Sequence, residues 1–218
     1  DFLLENKFLG NKSGQGFYKK TNEKDEKGKP VILALNLNTL TYEPSIRPDI
    51  PSLKAAKQMD DLPRRIRHFF DAQDNGAALI KESLVSLFSY ASNRIPEIAD
   101  SFFRIDDAIR AGFAWELGPF EYWDIIGLEK GVQLIKESGE KVPSWVNEMI
   151  NAGFTSFYSK QDGKKLYYDQ ILKAYQPIPG QDSLVILDNF RSKSPVHKTS
   201  ETILHDIGEG VLCLEFTS

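Results

Sequence analysis

Between residues 77 and 93 the apolar side chains Ile80, Leu84, Leu87, Phe88 and Ala91 fall three and four apart, the spacing that gathers them on one face of an α-helix. Pro96 disfavours helical backbone in the residue before it, so this helix is predicted to end at Arg94 or Ile95. Pro96 itself suits a first helical turn. A second stripe, Ile98, Phe102, Ile105 and Ile109, follows it, with Gly112 as a left-handed stop. Gly118 and Pro119 then repeat the device, Pro119 opening a short helix, Glu121 and Asp124 facing its positive end, and Gly127 closing it. Two more helices are predicted over 128–137 and 144–152, the latter capped by Ser144 with Glu148 near a capping-box position. Upstream, Pro63 fits the first turn of a helix running to Ala72, with Asp60 or Asp61 as its cap.

Elsewhere the period drops to two. Residues 31–42 alternate around Asn36 and Asn38 and predict two short strands; 155–159 and 164–168 predict another pair joined by a tight turn at Asp162-Gly163. These regions share an order. Phe17-Tyr18-Lys19-Lys20, Gly28-Lys29 and Tyr42-Glu43-Pro44 are echoed by Phe157-Tyr158-Ser159-Lys160, Gly163-Lys164 and Tyr175-Gln176-Pro177, which suggests a duplicated unit with an aromatic, turn-containing tail. The second copy follows a long helical body and the first only sixteen residues, so the first is expected to have lost its body to truncation. After Pro177 and Pro179 come the apolar run Leu184 to Leu187, read as a strand, and two strand-like runs over 202–207 and 211–216, joined at Gly208-Glu209-Gly210. A lone hairpin is marginal in water, so the chain is expected to stop just inside another domain.

Composition narrows the classes. With 218 residues and 41% hydrophobic content the chain can bury an ordinary core, and a net charge of -4 argues against a nucleic-acid partner. The single cysteine, Cys213, permits no internal disulfide and fits a reducing cytoplasm. No apolar run approaches the ~20 residues that span a bilayer. The first residue is Asp, as in a processed or cloned segment.

The run from Ile105 to Leu128, with Asp107 in a helix, Gly112, then Gly118-Pro119-Phe120-Glu121 and Asp124-Ile125-Ile126-Gly127-Leu128, resembles the C-terminal domains of 3-hydroxyacyl-CoA dehydrogenases. Gly10 to Tyr18, with Gly14, Gly16, Phe17 and Tyr18, resembles the glycine-rich tail that closes the first such domain in those enzymes; Leu204 to Phe216 is similar to the opening hairpin of an enoyl-CoA hydratase of the crotonase type. The resemblance implies a mainly α fold of the 6-phosphogluconate-dehydrogenase C-terminal kind with small β-hairpins and truncated flanks. It divides the chain into a tail of a first repeat (1–20), a hairpin and linker (21–60), a second helical repeat (61–180), and a linker with the first strands of a hydratase-like domain (181–218).

It also implies the parent's chemistry, NAD-dependent oxidation of a 3-hydroxyacyl-CoA in fatty acid β-oxidation, with a His base and its Glu on an upstream dinucleotide domain and a substrate-holding Asn on the helical domain. Gly10, Gly14 and Gly16 have the wrong spacing for a dinucleotide turn and no helix after them, so no NAD is expected on this chain. Asn93-Arg94 imitates the family's Asn-Arg motif but falls at a helix end; where that motif belongs stand Gln73 and Asp74. The expected role is therefore structural: closing a substrate cleft and pairing, as a homodimer or between repeats, with Gly14, Gly16, Gly112, Gly118, Gly127, Pro119, Phe120 and Asp124 as turn and packing positions and Asp107 as a cap or helix-contact residue. The competing reading is a non-catalytic helical interaction or scaffold module.

The remaining candidates read as packing or solvated surface. His68, His197 and His205 lack partners at ligand spacing. Asp106 and Asp107 point about 100° apart on a helix and form no proton-sharing pair. Arg64, Arg65 and Arg67 with Lys54 and Lys57 make a basic helix face, the alternative being a seat for CoA phosphates; Phe113, Trp115, Phe120 and Trp123 gather near the glycine turns as core or dimer packing, the alternative being an acyl groove.

Overall fold

The computed structural model describes residues 2–46, 48–161, 164–181, 184–191 and 193–217. The described residues hold eight helices and three small antiparallel sheets, 38% helix and 22% strand. The chain divides into two compact units, Asp1–Asp49 and Ile50–Ser218.

The first unit has one helical turn, α1 (Phe2–Glu5), and a meander of β1 (Tyr18–Lys24), β2 (Pro30–Leu35) and β3 (Tyr42–Pro44) in that spatial order. The Asp25 carboxylate accepts the amides of Lys27 (2.9 Å) and Lys29 (2.8 Å) to close the β1–β2 turn, and Asn36 Oδ1 accepts those of Asn38 (2.9 Å) and Thr39 (3.3 Å) to close the next. The alternation over 31–42 thus marks β2 and β3. It misses β1, whose Tyr-Lys-Lys-Thr-Asn-Glu-Lys sequence is polar on both faces and leaves only Thr21 partly covered.

The second unit opens with α2 (Pro51–Ala56), α3 (Leu62–Asp71), α4 (Asn75–Asn93), α5 (Phe102–Phe113), α6 (Pro119–Ile126), α7 (Leu128–Glu137) and α8 (Ser144–Asn151). Asp61 caps α3 through the Arg64 amide (2.7 Å), and Asp74 caps α4 through that of Ala77 (2.9 Å). The apolar face of α4, with Leu84, Val85 and Phe88, lies in one core with Ile66 and Phe70 of α3, Phe120 and Trp123 of α6, and Val132 and Ile135 of α7. Fully burying side chains of this size contributes about 1.5–3 kcal/mol each.

A second meander follows, β4 (Tyr158–Gln161), β5 (Lys164–Asp169) and β6 (Ala174–Pro177), in the order β4-β5-β6. Its predicted turn, Asp162-Gly163, lies outside the described residues. The two meanders share their register. Leu33, Ala34 and Leu35 face Pro44, Glu43 and Tyr42, as Leu166, Tyr167 and Tyr168 face Pro177, Gln176 and Tyr175. The Leu35 amide donates to the Phe17 carbonyl (2.8 Å) and the Tyr168 amide to that of Phe157 (2.9 Å). The Tyr42 hydroxyl donates to the Gly16 carbonyl and the Tyr175 hydroxyl to the Ser156 carbonyl, both at 2.6 Å.

Beyond it, a 3-10 turn (Leu187–Asn189) precedes β7 (His197–Lys198), β8 (Thr202–Gly208) and β9 (Val211–Phe216). β7 pairs with β8, His197 opposite Leu204, so the predicted hairpin has a third strand.

Four expectations are corrected. The helix expected to open at Pro96 begins at Phe102, because the paired buried rings of Phe102 and Phe103 set its phase; Ile98 stays 65% exposed. Its left-handed stop is Ala114 (φ +54°), and Gly112 lies within its last turn. On α8, Pro143 is the N-cap residue, Ser144 is the first helical residue and makes no capping bond, and Glu148 instead meets Lys173 (3.1 Å). The run Leu184 to Leu187 forms no strand: Leu184 and Val185 are exposed and the chain passes into the 3-10 turn.

Candidate functional site

Gly118, Pro119, Phe120 and Asp124, which carry part of the family resemblance, converge where α5, α6 and β4 meet. Gly118 precedes α6 because helix α5 passes it closely: a Cβ there would stand 2.4 Å from the Cα, Cβ and Cγ of Asp106. Pro119 occupies the first helical position, and the Glu121 carboxylate reaches back to the Gly118 amide (2.8 Å), as its sequence position foretold. Gly127 ends the helix with φ +98°. Close approach recurs at Gly131 on α7, where a Cβ would stand 1.9 Å from Trp123 Nε1; that nitrogen donates to the Leu128 carbonyl (3.0 Å).

Asp106 is fully buried. One of its oxygens accepts the Phe120 amide (3.0 Å) and the other the Tyr158 hydroxyl (2.7 Å). Burial raises its pKa to about 7 against the lowering effect of the Phe120 amide, and burial together with Asp106 lifts the Tyr158 phenol well above its ordinary value. The helix-contact role expected of Asp107 therefore belongs to Asp106, and Asp107 is instead half-exposed and paired with Arg110. The helix phase explains the correction: four residues after Phe102 and three after Phe103, Asp106 shares their buried stripe, and Asp107 does not.

Asp124 has a different task from the one its position suggested. It lies past the first turn of α6, where the dipole effect fades, and its two oxygens accept the amides of Phe157 (2.7 Å) and Tyr158 (2.9 Å). Burial raises its pKa to about 7 as well, against those two amides. Glu121 is pulled upward by burial, but the Lys165 ammonium, the Gly118 amide and Arg110 outweigh it and hold it below its ordinary value. Lys165 Nζ also lies 4.0 Å above the Tyr158 ring. Phe157 is fully buried and packs edge-on against Phe102, Phe120, Trp123 and Trp145 at 5.0–5.8 Å.

Each buried carboxylate here accepts from donors of the chain itself, so the cluster fastens the second meander to the helices. The sequence reading identified the turn residues Gly118, Pro119, Phe120 and Gly127 but missed Asp106, Tyr158, Lys165 and Gly131. Of these, Asp106 was detectable by the helix phase; the others become visible only when β4, β5 and α7 are packed.

The other candidates disperse. Phe120 and Trp123 are core, whereas Phe113 is 71% exposed and Trp115, 42% exposed, packs edge-on to Tyr122. Arg65 and Arg67 turn to the carbonyls of Met59 (3.0 and 2.7 Å) and Ile125 (3.2 Å). His68 contacts the Ser52 carbonyl (3.2 Å), and buried His205 contacts Glu215 (2.8 Å). Asn93 donates to the carbonyls of Ser89 and Lys141. Gly14, Gly16, Phe17 and Tyr18 lie together in the first unit, where Gly10 and Gly14 form turns that lead into β1. With a strand after it in place of a helix N-terminus, that loop does not fit a pyrophosphate.

The chain is 35% identical over 217 residues, 99% of its length, to a protein of Bacillus subtilis (strain 168) named a probable 3-hydroxyacyl-CoA dehydrogenase. It is a homologue of part of that dehydrogenase. Proteins of Rickettsia felis and Rickettsia prowazekii named as fatty acid oxidation complex trifunctional enzymes are 26% and 25% identical over 63% and 64% of the chain. The chain spans 26% of the length of the Bacillus protein and 17% of each Rickettsia protein. No protein-family model and no solved structure matches it.

Proposed function

We propose that this chain is the helical C-terminal part of an NAD-dependent 3-hydroxyacyl-CoA dehydrogenase of fatty acid β-oxidation, acting there as structure. Its fold is of the 6-phosphogluconate-dehydrogenase C-terminal kind, it helps to close the acyl-CoA cleft and to pair repeats or subunits, and an enoyl-CoA hydratase domain begins near residue 181. NAD is held by another part of the parent, and the setting is the cytoplasm. One observation carries the reading: similarity to the Bacillus dehydrogenase runs through 99% of the chain, while Gly118, Pro119, Phe120, Asp124 and Gly127 serve as turns and fasteners. No helix among the described residues is long and apolar enough to cross a membrane.

The test is an assay of NADH formation at 340 nm with 3-hydroxybutyryl-CoA and NAD. The full-length polypeptide from the same reading frame is expected to turn over and the 218-residue chain to give no rate above background. Turnover by the chain alone would overturn the structural role, and an inactive, folded full-length protein would overturn the parentage.

A further inference from the structure

Arg191, Lys193, Lys198, His205 and Glu215 line a cleft of about 260 Å³ at the third sheet, apart from the cluster around Asp106. Strand β8 buries His205, which is 3% exposed, and its Nε2 stands 2.8 Å from Glu215 Oε2 on β9. Arg191 donates to the other Glu215 oxygen through Nε (3.0 Å) and Nη2 (2.6 Å), and its Nη1 lies 3.5 Å from Asp188. Arg191 first and His205 second hold the Glu215 carboxyl below its ordinary value. It is therefore a carboxylate that accepts from His205 Nε2, and Nδ1 is the ring nitrogen without a partner among the described residues.

The charge around this pair is one-sided. Residues 189–200 carry Arg191, Lys193 and Lys198 and no acid, in a chain of net charge -4. Lys193 Nζ lies 5.2 Å from the centre of the Phe190 ring, and neither lysine pairs with an acid among the described residues. Three cations against one carboxylate leave the cleft with an excess of two positive charges (three minus one). Tying β8 and β9 to the segment at Arg191 explains the Arg191–Glu215–His205 chain, but it requires neither lysine.

We infer that this cleft binds a phosphate group, free or carried as a monoester. Glu215 fixes the Arg191 guanidinium and the His205 ring at the wall. The two lysines supply the charge that matches a dianion, and a protonated His205 donates to it from Nδ1. Pro195 and Ile203 give the same cleft an apolar side, suited to the organic part of a monoester.

Isothermal titration calorimetry of the 218-residue chain with sodium phosphate and with phenyl phosphate, each against sodium chloride at matched ionic strength, tests this. One saturable site is expected, and the His205 ring signals in a proton–carbon spectrum shift along the same titration while those of His68 stay. Lys193→Gln with Lys198→Gln weakens binding by at least about tenfold. Both lysines are exposed, so the doubly substituted chain keeps its Tm. Tighter binding of phenyl phosphate than of phosphate supports a monoester as the ligand, and equal binding supports free phosphate. No saturable heat up to about 10 mM phosphate overturns the inference. So does a response reproduced by sodium chloride, or an affinity unchanged in the doubly substituted chain.

Discussion

The two meanders are alike in backbone register and opposite in surroundings. Leu35 and Tyr168 donate the same cross-strand bond and Tyr42 and Tyr175 close the same loop, but Phe157 sits in the middle of an aromatic core while Phe17 faces solvent. The difference teaches that the three-stranded shape is made by short-range turn chemistry and hydroxyl bonds, whereas the buried aromatic anchor is made by rings on helices α5, α6 and α8, 12 to 55 residues earlier in the chain (157 minus 145, 157 minus 102). Strand register is thus no evidence that a Phe-Tyr arm is seated.

The anchor gives the sharpest way to break this contrast. Phe157→Ala removes a ring packed on four others and is expected to destabilise the second unit by about 3–5 kcal/mol. Phe17→Ala in the same 218-residue chain is expected to change stability by less than about 0.5 kcal/mol, as for other exposed substitutions. Urea unfolding followed by tryptophan fluorescence measures the first, since all three tryptophans lie in the second unit, and hydrogen exchange at the Leu35 amide measures the second. Equal losses would mean that Phe17 is already seated.

The carboxylates give a second and smaller effect. Asp106 and Asp124 have folded pKa values raised to about 7 from the ordinary 3.8, so between those values the folded state binds more protons than the unfolded state. Their contribution is fully present below about pH 4 and is lost as pH rises through about 7. Glu121, held below its ordinary value, acts in the opposite sense, adding stability above about pH 4.5. Between pH 5 and 8 the two aspartates dominate and Tm is expected to fall with rising pH. Asp106→Asn keeps the acceptor for the Phe120 amide and offers an amide group to the Tyr158 oxygen, so it should flatten the fall while leaving Tm at pH 5 nearly unchanged. An unchanged slope would show that Asp106 does not titrate in this range.

How much was legible follows the same division. Helices α3, α4, α6 and α7 could be placed from their three-and-four stripes and from Pro63, Pro119 and Gly127, because caps and breakers act within a turn of the residue that carries them. The start of α5 was not legible, since Pro96 is an equally good opening and only the burial of Phe102 and Phe103 decides against it. Strand β1 was hidden by a polar sequence that needs a neighbour and no core. At the site, the turn Gly118-Pro119 was readable, but whether Asp106 or Asp107 bears the load depends on which face of α5 meets α6 and β4. Tyr158 and Lys165 lie 52 and 59 residues from Asp106 (158 minus 106, 165 minus 106), beyond the range of local pattern. The sequence pairing of 17–20 with 157–160 was sound as a register and silent about exposure.

The smallest expected effect tests what the meanders have in common. Tyr42→Phe and Tyr175→Phe each delete one hydroxyl donor to a main-chain carbonyl, Gly16 or Ser156, a loss of about 0.5–1.5 kcal/mol. Hydrogen exchange at the amides of Leu35 and Tyr168, which bond the carbonyls of Phe17 and Phe157 beside those loops, reads each loss locally. If the loop bond belongs to the meander itself, the two amides speed up by similar factors despite their different surroundings. If only Leu35 responds, the helical body is holding the second loop without its tyrosine, and the Tyr42 hydroxyl matters most where Phe17 has no seat. A response at Tyr168 alone would mean that the first loop is kept by its own turn, Ser13 accepting the Leu9 amide and donating to Gln15, so that the shared hydroxyl bond is a by-product of register.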